Sequence, residues 1–125
     1  MPHDRLARLL TRFCAAAKVH HEALEAMDEG RANTHVRVIA GLYEAILREG
    51  PSGQEGLFTL LDNDSPVVAG MAAVYSMSVH PEICLAVLRR VAAEPGLLGF
   101  RASVAIERWE SGRWEDPGKQ SDVVV

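Results

Sequence analysis

Histidine and carboxylate side chains crowd one short stretch of the sequence, where they could bind a metal ion. His20, His21, Glu22 and Glu25 follow one another closely. His21 and Glu25 are four residues apart, a spacing that places two ligands on the same face of a helix. Adjacent helical residues point about 100° apart, so His20 and His21 cannot both serve one such site, and no HExxH motif occurs. The pattern therefore favours histidines that border the apolar stripe of a helix over a metal site. We expect no cofactor.

Other reactive residue types occur without the partners that catalysis needs. Asp62 and Asp64 could act as paired carboxylates, but their position before Pro66 also suits turn and capping roles at a helix start. Cys14 and Cys84 have no paired spacing and read as reduced core thiols. The sequence contains no nucleophile elbow, phosphate loop or dinucleotide fingerprint. We therefore predict that the protein is not an enzyme.

The elements that carry these residues follow a helical period. Apolar residues recur at three- and four-residue steps from Asp4 to Met27, which predicts an amphipathic first helix. Gly30 is a candidate C-cap, and Asn33 or Thr34 a candidate N-cap for the second helix. We expect Gly50-Pro51 to end that helix.

Four more helices complete the predicted fold. The third covers residues 54–61, and the fourth starts at Pro66 after a polar turn. The fifth begins at Pro81 and closes at Glu94-Pro95-Gly96, and the sixth runs over residues 97–111. No strand is predicted, so the fold class is all-α.

The fourth predicted helix differs from the others because it has no charged residue between Val67 and Val79. A helix that is apolar all round is usually enclosed by its neighbours, and its small residues allow close approach. The alternative is an exposed apolar contact surface for a partner.

Length and composition indicate one folded domain. The chain has 125 residues, of which 48% are hydrophobic and 24% are charged, which is ordinary for a globular protein. We place the helical domain at residues 1–112. Residues 113–125 are predicted as a flexible tail, because residues 115–122 are polar and show no helical period.

Net charge and hydropathy argue against two classes of partner, nucleic acids and membranes. The net charge of −4 argues against nucleic acid, which needs a basic face. The sequence has no signal-peptide pattern and no run of about 18 apolar residues. We therefore expect no membrane partner and a cytoplasmic location.

One joint between helices resembles a HEAT repeat, with leucines ending a first helix, an Asp/Pro turn, and Val with small residues opening a second. The usual Arg is replaced by Ala69. The matching residues are Leu57, Leu60, Leu61, Asp62, Asp64, Pro66, Val68, Ala72 and Ala73. The resemblance implies an α-α superhelix of about six antiparallel helices, HEAT/armadillo-like.

A more specific resemblance covers about residues 5–112. The sequence is similar to a small bacterial domain family of unknown function with a HEAT-like fold. The features that carry it are Asn33, Leu47 to Gly50, Leu60-Leu61-Asp62, Ala72-Ala73, Ala102 to Trp109, and Gly112. The resemblance brings no catalytic residues, and it implies a kinship to immunity proteins of polymorphic toxin systems.

These observations lead to three hypotheses. The first is a protein-binding module, and under the resemblance it is an immunity protein whose partner is a toxin domain. The second is a general HEAT-like adaptor or homodimer that uses the fourth helix. The third is a metal protein or enzyme at His20 to Glu25.

The candidate partner-binding residues are charged side chains together with one tryptophan. Arginine and tryptophan are enriched in binding hot spots, but for Trp114 the sequence favours packing back onto the sixth helix over a role in binding. The candidates are Arg37, Glu44, Arg48, Arg101, Glu107, Arg108 and Trp114.

Overall fold

The computed structural model describes residues 2–120, and it describes the side chains of residues 4–118. This part of the chain is all-helical and contains no strand, which confirms the predicted class. The helices are α1 (Pro2–Glu25), α2 (Glu29–Leu47), α3 (Pro51–Thr59), α4 (Pro66–Ser76), α5 (Pro81–Ala92), α6 (Gly96–Glu110) and α7 (Pro117–Gln120), with a 3-10 turn at Leu60–Asp62.

The chain divides between Leu60 and Leu61 into two compact units. The single domain over residues 1–112 therefore stays a prediction. In the first unit, α1, α2 and α3 pack on one another. Phe13 of α1 and Ile39 and Ile46 of α2 are at most 1% exposed, so these apolar stripes form its core.

The boundary between α1 and α2 differs from the prediction. Met27 takes a left-handed conformation with φ 58° after the end of α1. Asp28 is the N-cap of α2, and its Oδ1 accepts a hydrogen bond from the Arg31 backbone N–H at 3.1 Å. The predicted C-cap at Gly30 and N-cap at Asn33 or Thr34 are wrong, because an aspartate cap starts the helix earlier.

The junction between α2 and α3 is shorter than the sequence predicted. Gly50 has φ 76° and Pro51 is the first residue of α3, so α3 begins before the predicted residue 54. A Cβ added to Gly53 would lie 1.9 Å from the Ile46 carbonyl oxygen. The start of α3 is therefore pressed against the end of α2, and only glycine fits there.

In the second unit, α4 packs on α5, and α5 packs on α6. Pro66 starts α4 as predicted, and the Ser65 hydroxyl accepts from the Val68 backbone N–H at 3.4 Å. The buried residues of α4 are Val68, Ala69, Gly70, Ala72, Ala73, Tyr75 and Ser76, which confirms that this helix is enclosed. The predicted body extended to Val79, but α4 ends at Ser76 and Val79 is 56% exposed.

The segment after α6 is partly ordered by contacts. Trp114 packs on Trp109, and the Ser78 hydroxyl donates to the Asp116 carboxylate at 3.2 Å. The short helix α7 lies where the sequence predicted no helical period, so that prediction is wrong for Pro117–Gln120. The last five residues of the predicted tail, 121–125, lie outside the described residues.

Candidate protein-binding surface

Phe100 is displayed on the outer side of α6, where its side chain is 65% exposed. The inner side of this helix is marked by Gly99 and Ala102, which are buried. At about 100° per residue, Phe100 points about 160° away from Ala102. A Cβ on Gly99 would lie 1.9 Å from the Glu94 carbonyl oxygen. This close approach to the preceding turn sets the rotation of α6 and turns Phe100 outward.

Two arginines lie on one flank of the same helix, one next to Phe100 and the other two turns further on. Arg101 and Arg108 are exposed and seven residues apart, so they share one flank of α6. Val104, half-buried, is one turn beyond Phe100. We call these four residues, Phe100, Arg101, Val104 and Arg108, the α6 face.

The charges on the α6 face are available to a partner. Among the described residues, neither Arg101 nor Arg108 forms an ion pair. Desolvation lowers the pKa of Arg101, although the side chain is exposed, and a guanidinium remains cationic at neutral pH. The face therefore combines an aromatic ring with two positive charges.

The other candidates on the second unit serve local contacts. Glu107 forms an ion pair with Arg113, and its position seven residues after Phe100 places it on the same side of α6 as that ring. Trp114 packs edge to face on Trp109, with ring centroids 5.8 Å apart, which confirms the favoured prediction that it packs back onto the sixth helix.

The three candidates of the first unit lie together on α2. Arg37, Glu44 and Arg48 are all exposed, and their spacings of seven and four residues place them on one face. Glu44 and Arg48 approach within 3.7 Å. The predicted set of seven is thus divided among an α2 group, two arginines of α6, and two residues engaged in local contacts.

The histidine cluster does not converge. His20 is 4% exposed, whereas the His21 Nε2 atom lies 3.4 Å from Glu25 Oε1 near the surface. In the part of the chain that the structure describes, no group of three or more His, Cys, Asp or Glu side chains could hold a metal ion. His21 and Glu25 form a pair within one helix.

A cleft of about 250 Å³ opens in the second unit between the turn before α4 and the end of α5. Its polar rim includes Asp62, Asp64 and Arg90. Both aspartates are exposed, and neither supplies a capping bond. Asn63 Oδ1 accepts from the Ser65 backbone N–H at 2.9 Å, and Ser65 caps α4, so the predicted capping role of the aspartates is wrong.

Both cysteines are free thiols. Burial raises the pKa of Cys84 to about 11. Desolvation also raises the pKa of Cys14, and the nearby Lys18 ammonium opposes part of that effect. Both thiols are therefore protonated at neutral pH, which makes them poor nucleophiles.

Phe100 is the residue that the sequence reasoning missed. The predicted sixth helix buries Leu98, Ala102, Ala105, Ile106 and Trp109, and Phe100 lies out of phase with that stripe. The sequence feature that identifies Phe100 is the presence of an aromatic residue on the polar side of an amphipathic helix.

No protein-family model matches the chain, and no curated protein or solved structure matches it. Among the described helices, none combines the length and apolar character that a membrane crossing requires.

Proposed function

We propose that the protein is a non-catalytic protein-binding module and that the α6 face is its binding surface. The observation that carries the proposal is the 65% exposure of Phe100 on the side of α6 that also carries Val104, with Arg101 and Arg108 on one flank. Leaving a phenylalanine in water forgoes about 1.5–3 kcal/mol of burial. Aromatic residues and arginine are the types enriched where protein interfaces are buried.

The charges of the α6 face define the kind of partner. The chain as a whole has a net charge of −4, so Arg101 and Arg108 form a local positive site on an acidic protein. A complementary partner presents an apolar pocket for Phe100 with carboxylates beside it. Such charges accelerate and orient docking more than they increase affinity.

The more specific form of the proposal is an immunity protein whose partner is a bacterial toxin domain met in the cytoplasm. It rests on the resemblance over about residues 5–112 and includes a HEAT-like α-α superhelix of antiparallel helices. The short helices and tight Pro-started turns support that architecture. Under this proposal the α6 face covers part of the toxin.

The alternative is a general HEAT-like adaptor. Its contact through α4 has little support, since most of that helix is buried. An adaptor that uses the α6 face differs from an immunity protein only in its partner, so the identity of the captured protein discriminates between them.

The test is affinity capture from native cell extract with tagged protein, read by quantitative mass spectrometry. Two variants remove the α6 face: Phe100→Ser and the pair Arg101→Glu with Arg108→Glu. Matched controls change the same residue types elsewhere. Ile83→Ser alters an apolar residue that is 47% exposed on α5, and Arg8→Glu with Arg12→Glu reverses two exposed charges of α1.

We expect one protein to be captured at high stoichiometry by the wild type and both controls, and to be lost by both α6 variants. Calorimetry with the purified partner should show at least a tenfold weaker Kd for Phe100→Ser, equivalent to about 1.4 kcal/mol. Equal capture by all variants contradicts the assignment of the α6 face. Capture of no stoichiometric protein contradicts the binding function.

A further inference from the structure

Gly41 occupies the centre of the outer side of α2. It is exposed, and it lies about 160° around the helix from the buried Ile39. A Cβ added there would meet nothing within 4 Å. Glycine inside a helix is less favourable than alanine, and here, unlike at Gly53, no contact with a described residue requires it. The missing Cβ therefore points to a close approach from outside the chain.

The two flanks of Gly41 differ in character. Arg37 and Glu44 lie on one flank, and Val38 and Ala45 lie on the other, as the helical period dictates. Val38 is 39% exposed, so it adds an apolar contact point to this side of the helix. We call these five residues, Arg37, Val38, Gly41, Glu44 and Ala45, the α2 face.

The α2 face is complementary to itself. Arg37 precedes Gly41 by four residues, and Glu44 follows it by three. When two such helices cross antiparallel with Gly41 near a two-fold axis, each flank meets the same flank of the other helix. Arg37 then opposes Glu44 of the second copy, and the reciprocal pair forms by symmetry. On the other flank, Val38 meets Ala45 of the second copy, also twice.

We infer that the α2 face is an isologous contact through which two copies of this chain pair. Charge complementarity identifies the partner as a second copy of the chain. A single two-fold rotation pairs Arg37 with Glu44 and Val38 with Ala45. Arg37 forms no ion pair among the described residues. Glu44 is 3.7 Å from Arg48, so in the dimer it lies between two arginines. A single helix crossing buries less area than a standard interface, so the dimer is weak and concentration-dependent.

The α2 face shares no residue with the α6 face, and a charge swap tests the proposed contact. Sedimentation equilibrium would be run on the wild type over about 1–500 µM and on Arg37→Glu, Glu44→Arg and an equimolar mixture of the two. Each single variant places like charges opposite each other twice. The mixture restores two opposite-charge pairs, because each glutamate of one variant meets an arginine of the other.

We expect the wild type to dimerise, each single variant to raise the dissociation constant about tenfold or more, and the mixture to recover the wild-type constant. Recovery on mixing also shows that the variants fold. Arg108→Glu, on the α6 face, is the matched control and should dimerise like the wild type. A monomeric wild type throughout the range overturns the inference. So does a dimer that both single variants leave unchanged, or one that Arg108→Glu abolishes.

Discussion

The indole rings of Trp109 and Trp114 meet edge to face, with centroids 5.8 Å apart and an interplanar angle of 75°. Trp109 belongs to α6, whereas Trp114 follows its end, so the contact fixes the chain as it leaves the helix. Gly112, with φ 77°, makes the turn that brings the second ring back.

Trp114→Ala should lower the free energy of unfolding by about 2 kcal/mol, because an edge-to-face pair adds about 0.5–1.5 kcal/mol to the burial of the ring. Urea titration followed by circular dichroism measures the change. Trp114→Phe is the control: it keeps a ring and removes a buried indole N–H that has no acceptor among the described residues. A phenylalanine variant as unstable as the alanine variant would contradict the ring contact.

Glycine to alanine substitutions at two positions of the first unit should have opposite signs. Gly53→Ala should destabilise by about 1–3 kcal/mol, because the new Cβ meets the Ile46 carbonyl oxygen. Gly41→Ala should stabilise the monomer by about 0.5–1 kcal/mol, since no described residue lies within 4 Å of the added Cβ. Thermal unfolding at low protein concentration measures both, and destabilisation by Gly41→Ala would show that something packs there in the monomer.

Ala72→Asp should unfold the second unit. Ala72 is 0% exposed, and an unpaired carboxylate buried there would lower the free energy of unfolding by about 3–5 kcal/mol. Glu44→Lys, on an exposed position, should leave the fold intact. Far-UV circular dichroism and the Tm distinguish the two, and a stable Ala72→Asp protein would contradict the burial of α4.

Stability should fall at alkaline pH through Cys84. Its pKa is raised by burial from its ordinary value of 9.0 to about 11. Below pH 9 the thiol is protonated in both states, so it adds no pH dependence. Between pH 9 and about 11 only the unfolded thiol ionises, so the free energy of unfolding declines by up to about 1.4 kcal/mol per pH unit.

The control for this pH effect is Cys84→Ala, which should show a shallower decline over the same range. The two proteins share every other titrating group, so the difference in slope belongs to the thiol. Identical slopes would mean that Cys84 ionises as easily in the folded protein as in the unfolded chain.

Zinc should not raise the Tm, and His21→Ala should leave the Tm within about 1 °C. His21 approaches only the carboxylate of Glu25, at 3.4 Å, and two ligands on one helix bind zinc far more weakly than the usual three or four. Differential scanning fluorimetry with and without zinc checks this. A zinc-dependent rise in the Tm that His21→Ala abolishes would support the hypothesis of a metal site.

Helix starts with strong local chemistry could be predicted from sequence. Pro66 and Pro81 begin helices in the structure as expected, because proline at the first position needs no N–H partner. The start of α2 was missed although Asp28 is a good cap. The sequence predicted Gly30 as the left-handed residue, but Met27 takes that conformation where the Asp28 backbone N–H donates to the Ala23 carbonyl oxygen and closes α1.

The candidate site was harder to predict than the helices. Periodicity identified the exposed charges of α2 and α6, but it could not show that Glu107 turns to Arg113. Phe100 was not among the predicted binding residues, because a phenylalanine is usually assigned to the core. Its place outside the buried stripe can be predicted from the helical period, whereas the close approach of Gly99 to the Glu94 carbonyl oxygen, which fixes the rotation of α6, cannot.

The short link between α1 and α2 has a consequence for the order in which the chain folds. Only Ala26, Met27 and Asp28 separate the two helices, so bringing them together closes a very small loop and requires little loss of chain entropy. Contacts between near neighbours in sequence form early and quickly. We therefore expect the α1–α2 pair to assemble as soon as both helices have emerged from the ribosome, ahead of the helices that follow it.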